Sequence, residues 1–188
     1  IKLVSSSPER LIRFDGKTAE ARPIKGTRRR DADAARDAAL IMELQASRKD
    51  RAENVMIVDL LRNDLSRVCL PGTVKVPVLC GLESYANVHH LVSVVQGDLK
   101  PEKTVSDLLA AVFPGGSITG APKIRGMEII AQLEQSPRGV YCGAMGYLGT
   151  NGHCDFNIAI RTVQVAGGEV RVQGGGGITA RSQAPAEF

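Results

Sequence analysis

Four groups of residues have the types and spacing that chemistry needs. The first is F-P-G-G-S-I-T-G-A-P-K, residues 113–123, where glycines admit close backbone approach and free amide N–H groups collect at a helix N-terminus. That is anion-binding chemistry, although a helix cap with a flexible lead-in looks the same, and no G-K-[ST] makes it a P-loop. The second is Gly174–Gly177, which ends a strand either where a ligand presses on the backbone or where a mobile loop begins. The third is Arg161, which alternation places with Asn157 and Ala159, opposite Cys154, Phe156, Ile158 and Ile160. A guanidinium there either clasps a carboxylate in bidentate fashion or is an ordinary exposed sheet arginine. The fourth is an oxygen-rich set, Glu9, Glu53 and Glu187 with His90, which suits Mg²⁺ rather than zinc. Residue type alone equally fits solvated acids and a satisfied core histidine. Lys25, in A-R-P-I-K-G-T-R-R-R, is on composition one cation of a basic run.

The elements that must position these residues follow from periodicity. K-L-V-S-S-S-P-E-R-L-I-R-F reads as strand, Ser/Pro corner and strand, with Asp15-Gly16 as a hairpin turn. Asp31 is the expected N-cap of a long helix whose apolar positions are Ala35, Ala38, Leu40, Ile41 and Leu44, and residues 53–69 form a second helix. Strands are expected at Val74–Val78 and over 85–96, with Val88, His90, Val92 and Val94 on one face and His89 on the other. Thr104 to Asp107 resembles a capping box for a short helix that Pro114 ends, and another helix is expected from Ala121 to about Glu134. Strands over 139–148 and 153–165 flank Asn151-Gly152, and Gly167-Gly168 turns into E-V-R-V-Q. Without internal repeat or linker, the expectation is one α+β unit over residues 1–188.

Composition excludes several classes. The net charge of +4 is mild, aromatics make up 4% and Trp is absent, so no stacking platform for nucleic acid accompanies Arg28–Arg30. The longest apolar stretch, V-M-I-V-D-L-L, is interrupted by Asp59 and falls short of the roughly 20 residues of a membrane span. Cys69, Cys80, Cys142 and Cys154 form no C-x-x-C pair and read as reduced core thiols of a cytoplasmic protein.

Taken together, S-S-S-P-E-R, R-P-I-K-G-T-R-R-R, A-E-N-V-M-I-V-D-L-L-R-N-D-L, F-P-G-G-S-I-T-G-A-P-K, G-V-Y-C-G-A-M-G-Y, I-A-I-R-T and G-G-G-G-I-T-A-R-S resemble the chorismate-utilising enzymes, in order along the whole chain. The resemblance implies a Mg²⁺-dependent enzyme acting on chorismate, with large antiparallel β-sheets flanked by helices. It implies that Glu9 is the catalytic acid and that Thr27 and His90 line the ring. Thr119, Tyr141, Arg161, Gly175 and Gly177 would hold carboxylates. Glu53 and Glu187 would be metal ligands, with Asp50 in an outer position. A further metal glutamate of the family would lie beyond Phe188, and the isolated segment is expected to be inactive. The resemblance also wants Tyr141 and Arg161 on one face, which requires a three-residue loop with a glycine bulge at Asn151-Gly152 rather than a two-residue turn.

Lysine in P-I-K-G-T resembles the branch of the family that aminates chorismate at C4, using ammonia from a glutaminase partner. The alternative is amination at C2 with loss of pyruvate. A neutral Lys25 amine would form a covalent intermediate, which requires a lowered pKa from burial or from Arg28–Arg30.

Overall fold

The alternation near the N-terminus does produce strands in the computed structural model, which describes residues 1–180, Ser182, Gln183 and Pro185. Strand β1 (Lys2–Ser5) leads to the Ser/Pro corner, and β2 (Arg10–Phe14) turns through Asp15 and Gly16 into β3 (Thr18–Arg22). Asp15 Oδ1 accepts from the Lys17 and Thr18 amides and Gly16 takes φ +93°, so the turn rests on its own two residues. Only Pro23 separates β3 from β4 (Ile24–Arg29). The Pro23 carbonyl still accepts from Ser93, so β3 and β4 run as one interrupted strand along β6 (Val88–Asp98).

Helix α1 (Ala34–Ala46) is capped by Asp33, not by Asp31 as expected from sequence. Asp33 Oδ1 accepts from Arg36 N–H at 2.9 Å, and Asp31 shapes the approach by accepting from the Asp33 amide. Ser47 closes α1 and caps α2 (Arg48–Ser66), which therefore starts five residues earlier than the expected 53. Strand β5 (Lys75–Ser84) pairs with the free edge of β6, and the capping box of Thr104 and Asp107 opens α3 (Val105–Val112) as expected. The glycine-rich loop contains one helical turn, α4 (Gly116–Thr119), that sequence reading missed. Helix α5 (Lys123–Leu133) then starts after Pro122, which is its cap rather than part of its first turn.

Strands β7 (Ala144–Leu148) and β8 (Cys154–Ile158) are joined by the three-residue loop required above. Leu148 pairs with Cys154, Gly149 N–H donates to the His153 carbonyl at 2.8 Å, and Gly152 takes φ +79°. The strands expected over 139–148 and 153–165 are, however, shorter. Residues 139–143 are turns, Cys142 has φ +66°, and β8 stops at Ile158. Ile160 N–H closes back on the Ile158 carbonyl and Arg161 takes φ +48°, so the chain leaves one sheet and enters another as β9 (Thr162–Ala166), followed by β10 (Glu169–Val172).

The result is α+β, with every strand pairing antiparallel. A seven-stranded sheet runs β4-β6-β3-β2-β8-β7 with β5 on β6, beside a three-stranded sheet β1-β9-β10. Helices α2 and α3 cover the larger sheet through Ile57, Leu61, Leu65, Leu108 and Val112, packed on Leu11, Ile12 and Val95. Fully buried Asn54 fastens α2 to β6, donating to the Leu91 carbonyl and accepting from Ser93 Oγ. The inner face of β6 is thus His89, Leu91, Ser93 and Val95, and His90 points the other way, as alternation required. No helix among the described residues is long and apolar enough to cross a membrane, and all four cysteines are buried and free.

Candidate functional site

The site starts from an irregularity in β4. Ile24 pairs with Val92 and Thr27 with His90, so three steps on β4 match two on β6, a β-bulge at Lys25-Gly26. The bulge parts the two neighbouring side chains. Lys25 Nζ donates to the Ser117 carbonyl at 3.2 Å, and Thr27 Oγ1 lies 2.9 Å from His90 Nδ1.

Glu9 comes to Lys25 from the corner after β1. It is 5% exposed, and its backbone carbonyl accepts from Ile158 N–H, which fixes the corner to β8. Burial pushes the Glu9 carboxyl above its ordinary value, opposed by the Lys25 charge and by hydrogen bonding from Ser117 and Ile24. A group poised in this way holds a proton at higher pH than a solvated acid and can release it to a leaving oxygen. A cavity of about 10 Å³ beside Glu9, lined also by Pro23, Gly115 and Ser117, has room for about one water.

His90 is 3% exposed, and burial first, then the Arg161 charge, lower its basicity. It is therefore a neutral imidazole at pH 7, able to exchange a hydrogen bond with Thr27 without adding charge. Arg161 is exposed, at the break between β8 and β9. A hollow of about 260 Å³ lined by Ile24, Val92, Arg10, Arg22, Glu83 and Tyr85 opens nearby, and the Tyr85 ring stands 5.7 Å from that of His90. Its cations are already answered, Arg10 by Glu20 and Asp155 and Arg22 by Glu83.

The glycine run closes a third part of the site. A Cβ on Gly175 would stand 3.0 Å from the Tyr141 hydroxyl, and one on Gly177 would stand 3.5 Å from Glu53 Oε2. The run thus packs against Tyr141 and Glu53, beyond the end of the last strand, as backbone without side chains permits. Burial raises the Tyr141 pKa, keeping the phenol a donor. Thr119 spends its hydroxyl proton on the Gly115 carbonyl at 2.9 Å, inside α4.

Sequence reading missed what suspends the glycine-rich loop. Carbonyls at the end of α3 and in α4 are capped by cations from four separate segments: Ala111 by Arg67, Val112 by Lys123, Ser117 by Lys25 and Ile118 by Arg138. Lys123 Nζ also meets Asp64 at 2.7 Å, with the two side chains 15% and 3% exposed. The only sequence signal was their position at the ends of two quoted motifs. Asp64→Ala would strand a buried ammonium and is expected to destabilise the protein by about 3 kcal/mol, read as a lower Tm.

Two of the three arginines after Lys25 are held by acids, and Arg29 is exposed. Arg28 pairs with Glu43 at 2.8 Å and Asp50 at 3.3 Å, which leaves Asp50 turned to β4. Arg30 pairs with Asp37 and holds that carboxyl below the usual range, and Asp37 also meets buried His89 at 2.9 Å. These positive charges are therefore balanced by acids and not directed at Lys25.

Residues 1–188 match a family described as chorismate binding enzyme. The chain belongs to the chorismate-binding enzymes. It is 51% identical over 186 residues to anthranilate synthase component 1 of Streptomyces coelicolor, covering 99% of this chain and 36% of that protein. It is 50% identical over 186 residues to aminodeoxychorismate synthase component 1 of Escherichia coli, covering 99% and 41%. Among solved structures, 2,3-dihydroxybenzoate-specific isochorismate synthase DhbC from Bacillus anthracis superposes with TM-score 0.87 at 28% identity, covering 98% of this chain and 49% of that one. Anthranilate synthase component I from Streptococcus pneumoniae gives 0.76 at 42% identity, covering 86% and 35%. The chain spans less than half the length of these relatives.

For a chorismate-binding enzyme the Mg²⁺ question turns on Glu53. Among the described residues no three of His, Cys, Asp or Glu converge to hold a metal, and Glu187 lies outside them. Glu53 reaches the glycine run with a carboxylate oxygen, the donor type this cation takes, and so fits as one ligand.

Proposed function

We propose that the protein aminates chorismate at C4 to give 4-amino-4-deoxychorismate, as component I of an aminodeoxychorismate synthase. The observation that supports this reading is the bulge that sets Lys25 against Ser117 with buried Glu9 beside it. In this chemistry the Lys25 nitrogen bonds through its lone pair to C2 as the C4–oxygen bond breaks, and Glu9 gives its proton to the departing hydroxyl, which leaves as water. Ammonia then bonds to C4 as the C2–nitrogen bond breaks, Lys25 leaves as the free amine, and the new ammonium at C4 gives a proton to the Glu9 carboxylate, which restores both residues.

Thr27 and His90 would line the ring, and Arg161, Tyr141, Thr119, Gly175 and Gly177 would hold its carboxylates. Mg²⁺, held by Glu53 and Glu187, would supply positive charge to the ring carboxylate. Ammonia would come from a glutaminase subunit or from free ammonium.

A second reading, amination at C2 with pyruvate release, is favoured by the 51% identity to an anthranilate synthase component. Full-length protein incubated with chorismate, Mg²⁺ and ammonium separates the two. Formation of 4-amino-4-deoxychorismate, with no anthranilate fluorescence and no pyruvate, is expected. Fluorescent anthranilate would overturn the C4 reading.

A further inference from the structure

We infer that Asp50, through Arg28, is a positioning residue for Lys25, and that its carboxylate serves the lysine bulge. The inference rests on the reading of Lys25 as nucleophile. Gly26, next to that lysine, has φ +93°, a left-handed conformation natural to glycine. A Cβ there would stand 2.9 Å from Asp50 Cβ and 3.0 Å from Leu44 Cδ1, so the end of α1 and the first turn of α2 press on the bulged backbone.

The contact is locked on both sides. The Asp50 amide donates to Ser47 Oγ at 3.3 Å, holding the first turn of α2. Its carboxylate pairs with Arg28 Nη2 at 3.3 Å, two residues beyond Gly26 on the same strand. Arg28 in turn donates through Nε to Glu43 of α1 at 2.8 Å and through Nη1 to the Thr27 carbonyl at 2.9 Å. The Asp50 and Arg28 side chains are 18% and 25% exposed, so the pair is partly desolvated and holds its geometry.

The bulge therefore cannot flatten without displacing two helices. Flattening would shift the register by one residue and turn Lys25 to the opposite face, away from Glu9 and Ser117. Asp50 and Arg28 act at a distance, by fixing where the amine stands.

The test uses full-length enzyme with chorismate, ammonium and saturating Mg²⁺, so that the outer metal position of Asp50 does not decide the rate. Asp50→Asn is expected to lower kcat about 10- to 100-fold, the scale on which small misplacements act. KM for chorismate should stay within about twofold, since no substrate contact is lost. The melting temperature should hold, Asp50→Glu should recover most of kcat, and acylation of Lys25, followed by mass spectrometry, should change in rate relative to Lys123 in the same molecule. An unchanged kcat would overturn the inference, as would a loss that follows the folded fraction or unaltered Lys25 acylation. If Lys25→Ala keeps full amination, the nucleophile reading fails, while altered Lys25 acylation in Asp50→Asn still establishes the positioning.

Discussion

Glu9→Gln is expected to abolish most of the amination while raising the melting temperature at pH 8. The gain in stability follows from the sign of the Glu9 shift. Its folded pKa is raised above 4.5, chiefly by burial. The folded state therefore holds the proton more tightly than the unfolded chain does. That contribution is fully present below the unfolded value and is lost as pH rises through the folded pKa. Above it, a carboxylate with 5% exposure is ionised at a cost in stability that a neutral amide of the same shape avoids. The attraction of Lys25 offsets part of this cost but is the smaller cause. The loss of activity follows from the role of the proton. Without an acid at the departing hydroxyl, the rate should drop about 10²- to 10⁴-fold. Thermal melts at pH 4 and pH 8, beside the product assay, check both parts. The Tm gain should vanish near pH 4, and a variant that melts lower at pH 8 would refute the burial argument.

The second large effect is at Lys25. Lys25→Ala is expected to reduce C4 amination about 10²-fold or more, because one difficult displacement is no longer divided into two. In the wild-type protein, quenching after mixing with chorismate in the absence of ammonia should leave the Lys25 peptide heavier by chorismate less one water. Retention of the full rate by the alanine variant, with no such mass in the wild type, would remove the covalent step. The variant also removes a cap from the Ser117 carbonyl, so its Tm must be measured alongside.

What could be read from sequence was whatever a few adjacent residues decide. The Asp15-Gly16 turn, the Thr104–Asp107 capping box and the alternation that parts His89 from His90 are all settled locally. The three-residue loop before β8 was accessible because the resemblance wanted Tyr141 and Arg161 on one face, although the β7–β8 ladder stops short of both residues. The choice between Asp31 and Asp33 as cap was not, since both are good caps and the approach of the chain decides. The break after Ile158 was hidden because I-A-I-R-T continues the strand pattern through the residues where the chain changes sheets. Within the site, Glu9 and Lys25 could be placed only by whole motifs. The pairs Arg28–Asp50, Arg30–Asp37 and Asp64–Lys123 could not be placed at all, because each joins residues that only the fold brings together.

One of these long-range arrangements bears on how turnover proceeds. The loop bearing Ser117 and Thr119 is held through two of its own carbonyls, Ser117 by Lys25 and Ile118 by Arg138, while Arg67 and Lys123 cap the end of α3 just before it. In the proposed chemistry Lys25 would bond to C2 through the same nitrogen that caps the Ser117 carbonyl, so capture of the ring and the hold on the loop share one atom. Whatever moves that nitrogen also pulls on the loop, so the wall of the pocket and its proposed nucleophile are tied together.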